Sequence, residues 1–201
     1  MDLSTSPRPG AANPISAPWG AADPWIAAGL VLPTYLAAFA TLVLACETCS
    51  ISLFWPADGV VLAFLLRAPA RNWWQTLLAG AVGLVCARMV AGCSVSHALI
   101  LSAINLIEVL ACASALRAVV GGMTDLRRPR QMLAFLLIAG FLAPAAAAVL
   151  AAGFAAGGRG APFLSTALSW YAGDAFGLVV VTPILLAASA LLSRRLAATS
   201  R

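Results

Sequence analysis

Long apolar stretches separated by short, arginine-bearing gaps are the feature that most limits how this chain can fold. The chain has 201 residues, and all twelve of its basic residues are arginines. Most of them lie in the two tails and in two of the gaps, at Arg8, at Arg67 and Arg71, at Arg117, Arg127, Arg128 and Arg130, and at Arg194, Arg195 and Arg201. Short loops rich in Lys and Arg stay on the cytoplasmic side of a membrane. The pattern therefore predicts an even number of membrane spans with both termini cytoplasmic.

The composition also indicates a membrane protein. Charged residues make up 9% of the chain and apolar residues 62%, against roughly 25% and 45–50% in a soluble domain. A soluble bundle would need polar outer faces on its helices, and the stretch 131–156 has none. The net positive charge is explained by cytoplasmic arginines near anionic lipid headgroups, so we expect contact with the lipid bilayer and no nucleic-acid partner.

Six apolar stretches meet or approach the length of about 20 residues that a helix needs to cross a bilayer. They are predicted at 25–46, 52–67, 73–91, 97–118, 131–155 and 163–192. The last stretch is longer than one crossing requires. We therefore expect a short interfacial piece to about Tyr171, then a crossing from Asp174 to Leu192, with an outer turn at Gly157, Gly158 and Gly160 before it.

The predicted fold class is all-α, a polytopic membrane bundle of about six transmembrane helices. The first 24 residues are rich in Pro, Ala, Gly and Ser and show no pattern of a secretory signal peptide. The predicted organisation is a disordered cytoplasmic tail at 1–24, one membrane domain at 25–192 and a short cytoplasmic tail at 193–201.

A small set of polar and aromatic residues lies within the outer halves of the predicted spans. Its members are Trp55, Asp58, Arg88, Asn105, Glu108, Trp170 and Asp174. Asn105 and Glu108 are three residues apart, which places both on one face of a helix. A charge inside a bilayer costs at least about 2.5–3.5 kcal/mol, so such groups usually face a partner or a wet cavity. All of them except Arg88, which we expect to be structural, are predicted to bind a ligand in a polar cavity that opens outward, with the two tryptophans near its rim.

The same residues could instead satisfy one another. Arg88 could pair with Glu108 or Asp58, and Asp174 could cap its own helix, since aspartate is a favoured N-cap residue. The tryptophans alone would be ordinary interface anchors.

Five motifs then carry a resemblance. They are Trp-Pro-Ala-Asp-Gly at 55–59, Asn-Leu-Ile-Glu at 105–108, Leu-Arg-Arg-Pro-Arg at 126–130, Trp-Tyr-Ala-Gly-Asp-Ala-Phe-Gly at 170–177 and Val-Thr-Pro at 181–183. In this order and spacing they resemble the MASE1 integral-membrane sensory domain, over roughly residues 30–192. The resemblance implies an input module of the bacterial inner membrane. Such domains typically precede a diguanylate cyclase, phosphodiesterase or histidine-kinase module, and a homodimer is expected because those outputs often work as dimers.

The chain departs from the family pattern in two ways. Members usually have about eight spans where this sequence predicts six, and Asp58 stands where the family more often has a small or uncharged polar residue. Nothing after Leu192 resembles an output domain. We therefore expect either the sensor portion of a larger protein or a standalone module that acts through a partner.

Cysteines cluster near the predicted outer surface. Cys46, Cys49, Cys93 and His97 could hold a thiophilic metal or form a redox-sensitive disulfide. Free cysteine is also a common small apolar filler, and this interpretation is favoured for all five cysteines, including Cys86 and Cys112. No metal or other cofactor is expected.

The sequence does not indicate an enzyme, because one histidine and no nucleophile beside it leave little capacity for acid–base or covalent catalysis. The predicted function is an input module that senses a small ligand through its outward-opening cavity. It would regulate a cytoplasmic output of the cyclic-di-GMP or histidine-kinase type, in cis or through a partner protein. The alternative is a small-molecule transporter, or the substrate-binding membrane subunit of an importer. Its outward-facing pocket would look much the same.

Overall fold

The computed structural model describes residues 28–44, 54–121 and 126–199, and within these ranges the secondary structure is entirely helical. Seven α-helices follow one another as α1 (Val31–Leu44), α2 (Pro56–Arg67), α3 (Trp73–Val90), α4 (Val95–Val120), α5 (Pro129–Leu137), α6 (Ala143–Arg159) and α7 (Phe163–Thr199). A short 3-10 turn precedes α3, and a π-helical segment, Ile138–Leu142, joins α5 to α6. The prediction of an all-α bundle is confirmed.

Four helical rods in the described ranges are long and apolar enough to cross a membrane. They are Ala70–Val90, Val95–Val120, Pro129–Gly158 and Phe163–Leu192. The other two helices are shorter, with 14 residues in α1 and 12 in α2. At 1.5 Å per residue they extend about 21 and 18 Å, less than the roughly 30 Å of a bilayer core. The predicted multi-span membrane bundle is therefore found, with four full-length spans in the described ranges and two shorter helices in place of the first two.

The short helix α2 lies at the centre of the bundle. It begins with Pro56, which suits a first helical position because its missing N–H would be unpaired there in any case. All its residues except Pro56, Phe64 and Arg67 are buried, and it contacts α1, α3, α4 and α7. A helix can end at membrane depth only where protein or water meets its free backbone groups. The residue just before α2 is held by protein, because the Trp55 backbone N–H donates to the Gly173 carbonyl of α7 over 3.1 Å.

Two glycines let α2 and α7 approach each other closely. A Cβ atom on Gly177 would collide with the carbonyl group of Trp55, and one on Gly59 would lie 2.5 Å from the Gly177 carbonyl oxygen. The Thr182 hydroxyl donates to the Gly59 carbonyl over 3.1 Å in the same interface. The sequence motifs at 55–59 and 170–177 are therefore the two sides of one helix–helix contact.

The π-helical segment has a local cause in the sequence. Pro144 has no N–H and so cannot donate the usual helical bond to the carbonyl four residues earlier, which belongs to Gly140. The Tyr171 hydroxyl of α7 donates to that carbonyl over 3.1 Å. Bulges of this kind often occur at functional sites, and this one contacts α7 next to Trp170.

The long helix α7 corrects one prediction. It runs for 37 residues from Phe163 to Thr199 without a break, so the predicted division between Tyr171 and Asp174 is wrong. Between Tyr171 and Asp174 only Gly173 weakens the helix, and Pro183, which lies further along inside α7, does not end it. Asp174 lies well inside the helix and is not its N-cap. A turn before α7 is found at Gly160, which adopts the left-handed conformation with φ of +64°. Gly157 and Gly158 still belong to α6, and the outer position of the turn stays a prediction.

Candidate functional site

The described residues contain three acidic side chains, and all three meet inside the bundle. Asp58 comes from α2, Glu108 from α4 and Asp174 from α7. One carboxylate oxygen of each lies within 4.8 Å of the other two. Their side chains are 1%, 3% and 3% exposed. Because burying a carboxylate is costly, the meeting of all three from separate helices identifies the candidate site, which we call the carboxylate cluster.

One side of the cluster is linked by hydrogen bonds, although Arg88 Nε is buried there without a partner. The Asn105 side-chain amide donates to Asp58 Oδ2 over 2.7 Å, and the Trp55 indole N–H donates to Asp58 Oδ1 over 3.2 Å. Arg88 donates through Nη2 to the side-chain oxygen Oδ1 of Asn105 over 3.3 Å. Its guanidinium carbon also lies 4.5 Å from the centre of the Trp55 ring, in a cation–π contact. Arg88 therefore reaches Asp58 through Asn105, where the sequence suggested a direct pair with an acid.

The other side of the cluster is not hydrogen-bonded. Both oxygens of Glu108, Oδ2 of Asp174 and the indole nitrogen of Trp170 are buried without a hydrogen-bond partner. The Glu108 and Asp174 carboxyl groups face each other, and the Trp170 indole is directed toward Asp174 without reaching hydrogen-bonding geometry. Each unsatisfied buried polar group costs about 1–3 kcal/mol, and more when it is charged. These atoms are the part of the site that a ligand could complete.

The charges of the site are also unbalanced. Three carboxylates face one guanidinium, that of Arg88, among the buried side chains of the described residues. Like charges this close repel strongly in a protein interior. The arrangement can therefore hold protons between its carboxyl groups or an added cation, and a ligand set made only of oxygen suits Mg²⁺, Ca²⁺ or Mn²⁺.

The position of the cluster can be given relative to two arginines near the ends of α2 and α4. Asp58 precedes Arg67 by nine residues on α2, and Glu108 precedes Arg117 by nine residues on α4. Nine residues of helix extend about 14 Å. Arg117 donates to the Ala68 carbonyl over 3.0 Å, so these two helix ends lie at one level. The cluster therefore lies about 14 Å from the level of Arg67 and Arg117, and the position of Asp58 just below the outer surface stays a prediction.

All six predicted ligand-binding residues come together in this region, and all are buried. Trp55 and Trp170 are each 4% exposed, so a cavity that opens outward between them is not confirmed.

One further buried polar residue near the cluster was not predicted from the sequence. Ser102 is buried with its hydroxyl unpartnered, one turn before Asn105 on α4. Its spacing of three residues from Asn105 is the signal that could have pointed to it.

The predicted outer thiol site is described only in part. Cys46 and Cys49 lie outside the described residues. Cys93 is disulfide-bonded, where the sequence favoured an unmodified cysteine, and its sulfur is therefore no thiolate ligand. His97 shares a hydrogen bond of 2.8 Å between its Nδ1 and the Ser94 hydroxyl. Cys86 and Cys112 are free thiols, as predicted.

Apolar rods of membrane-spanning length around a buried polar site define a multi-pass helical membrane protein. The chain belongs to the MASE1 family, whose sequence model matches residues 26–199. This family comprises membrane-associated sensory domains. The match includes all the cluster residues and extends slightly beyond the segment that the motifs indicated. No curated protein and no solved structure matches the chain.

Proposed function

We propose that this chain is the input module of a sensor in the bacterial inner membrane. The carboxylate cluster is its sensing site, and its output is a cytoplasmic module of the cyclic-di-GMP or histidine-kinase type, in cis or through a partner. The observation that carries the proposal is the incomplete cluster itself. A membrane-associated sensory domain places three buried acids from three helices together and leaves Glu108 without a partner.

The geometry of α7 supports a route from the site to the output. Trp170 and Asp174 lie on this helix, which continues without interruption past the apolar stretch that ends at Leu192. At 37 residues the helix extends about 55 Å, more than a bilayer core. A change at Asp174 that shifts α7 against α2 would therefore reach the cytoplasmic end as a movement of one rod.

A ligand acts on such a helix pair only through its different affinities for two packings. Occupancy of the cluster would change the repulsion between Glu108 and Asp174, and hence the separation of α4 and α7. The Gly59–Gly177 contact limits how α2 and α7 can respond, because the backbones are already in close contact there. Sliding or rotation of α7 is then the response that the packing allows.

The test is a fusion of residues 1–201 to a cyclase or kinase reporter domain. Glu108→Gln keeps the size of the side chain and removes its charge, so it should change reporter output while membrane abundance and thermal stability stay near wild type. Cys112→Ala is the matched control, since Cys112 is buried one turn further along α4 and is not among the cluster acids. If Glu108→Gln and Asp174→Asn both prevent stable insertion, with no separable effect on signalling, the acids are structural partners and the proposal fails.

The transporter alternative makes a different prediction. Intramembrane acids are also used by transporters as proton relays or substrate sites. A transporter would move a solute across vesicles that contain this chain alone, without any output domain. Uptake that depends on Glu108 would favour that alternative over the sensor.

A further inference from the structure

The unpartnered atoms of the carboxylate cluster limit what its ligand can be. Three buried oxygens, two on Glu108 and one on Asp174, lack a donor. All three are acceptors when the acids are ionised, so either protons shared by the two carboxyl groups or an added group with positive charge or several donors would complete them. The Trp170 indole N–H beside them is a donor without an acceptor, and a water bound to a cation could accept from it.

The size of the site favours a small ligand. Its side chains are enclosed by the protein, and the oxygens of the three acids lie within 4.8 Å of one another. Oxygens on opposite sides of Ca²⁺ are about 4.6–5.2 Å apart, and those across Mg²⁺ about 4.0–4.2 Å. The 4.8 Å limit falls within the range for Ca²⁺, whereas the carboxylates would have to approach one another further to hold Mg²⁺. An organic amine is larger than a single ion and would need the helices to separate.

The charge count also selects a divalent ion. Three carboxylates, the Arg88 guanidinium and one divalent cation sum to zero charge. Arg88 is directed to the Asp58 side through Asn105, which leaves the Glu108 and Asp174 side without a positive group. The oxygens of Asp58 already accept hydrogen bonds from Trp55 and Asn105, but each retains a lone pair for a metal.

We propose that Asp58, Glu108 and Asp174 bind one divalent cation of the oxygen-seeking class, Mg²⁺, Ca²⁺ or Mn²⁺, inside the helical bundle. Asn105 and Trp55 orient Asp58 for this role, and Glu108 and Asp174 supply the ligands that are otherwise unpaired. The idea that this cation is the sensed signal rests on the proposed function, whereas the binding site itself does not.

The test uses the full chain in lipid nanodiscs, stripped of metal with a chelator. Mn²⁺ is titrated and followed by electron paramagnetic resonance, and Mg²⁺ and Ca²⁺ are then added as competitors at constant ionic strength. One Mn²⁺ should bind per chain, one of the other two ions should displace it, and the melting temperature should rise with cation concentration. Sub-stoichiometric binding, or a melting temperature that depends on pH and not on the cations, would overturn the proposal in favour of shared protons.

Two variants with the same change in net charge locate the site. Glu108→Gln should weaken Mn²⁺ binding by more than about tenfold, since even residues that only orient a metal ligand contribute about 10–100-fold. Asp125→Asn, an acid outside the described residues, should bind Mn²⁺ like the wild type. Equal affinities of the two variants would overturn the assignment. If Glu108→Gln does not fold, Asp58→Asn takes its place against the same control.

The two proposals fail separately. Binding of Mn²⁺ to the wild type with no effect of cations or of Glu108→Gln on the reporter fusion would leave the metal site standing and remove the sensor. If the reporter responds to Glu108→Gln but the chain binds no divalent ion, the sensor stands and the metal site fails.

Discussion

The side-chain amide of Asn105 lies 2.7 Å from Oδ2 of Asp58 and joins α4 to α2 in the middle of the bundle. The other end of the same amide accepts from Arg88 on α3. One uncharged side chain therefore links a buried cation and a buried anion that do not meet directly. This link explains how Arg88 and Asp58 remain in the interior while the Glu108 side of the site stays open to a ligand.

Asn105→Ala should destabilise the protein more than most substitutions at this depth. It leaves the Arg88 guanidinium and Asp58 Oδ2 each short of a buried partner, and each loss costs about 1–3 kcal/mol or more for a charged group. We expect a loss of about 2–5 kcal/mol in the free energy of unfolding, measured by denaturant titration in detergent micelles. Ser102→Ala is the control, because that buried hydroxyl has no partner to lose. Similar losses in both variants would contradict the bridging role of Asn105.

Gly177→Ala should disrupt the contact between α2 and α7. The added Cβ would collide with the Trp55 carbonyl group, which is backbone and cannot rotate away. Overpacking of this kind costs about 1–3 kcal/mol and more where backbone must move. Gly153→Ala in α6 meets nothing within 4 Å, so it should be neutral or gain up to about 1 kcal/mol from helix propensity. Thermal unfolding of the two variants in nanodiscs measures the difference, and an unaffected Gly177→Ala would show that the helices separate easily.

The hydrogen bond between Tyr171 and Gly140 should depend on Pro144. Tyr171→Phe removes the hydroxyl and should cost about 0.5–1.5 kcal/mol, while the ring keeps its edge contact with Phe141, at 6.3 Å between centroids. Pro144→Ala supplies the missing N–H, so in that background the Gly140 carbonyl has another donor. Tyr171→Phe should then cost less, and a double-mutant cycle in the same detergent measures the coupling. Additive effects would contradict the dependence of the Tyr171 hydrogen bond on Pro144.

The sequence was most informative about the charged residues within the apolar helices. Asp58, Glu108 and Asp174 are conspicuous there, so their grouping could be predicted from the sequence alone. The burial of the site could not be predicted from the sequence, because Trp55 is equally plausible as an interface anchor and as a buried hydrogen-bond donor. The unbroken course of α7 was not predicted, because its apolar stretch is longer than one crossing requires and Asp174 suits an N-cap position. What keeps the helix continuous is packing against Trp55 and Gly59, residues more than a hundred positions earlier in the chain.

The contacts of Arg117 show which helix ends lie on the same side of the bundle. Arg117 reaches the Ala68 carbonyl and lies 4.8 Å from the centre of the Trp73 ring, so the ends of α2 and α4 and the start of α3 share one side. Reporter fusions after Arg71 and Leu126 should score cytoplasmic, and those after Ser94 and Arg159 should score external. A cytoplasmic score at Arg159 would remove the crossing by α7.

Trp55 and Trp170 should respond differently to the same substitution. Both indoles are 4% exposed, so replacement by phenylalanine removes similar volume from similar surroundings. The Trp55 N–H donates to Asp58, and a hydrogen bond to a charged group contributes about 1.5–3 kcal/mol. The Trp170 N–H has no partner in the protein, so its loss should cost less stability when metal has been removed. With Mn²⁺ present, the difference in stability loss between the two variants should become smaller. A water on the bound ion would accept a hydrogen bond from Trp170, so Trp170→Phe would also weaken the binding of Mn²⁺. Unfolding curves of both variants with and without Mn²⁺ decide this, and a larger loss for Trp170→Phe in the metal-free protein would show that its indole has a partner after all.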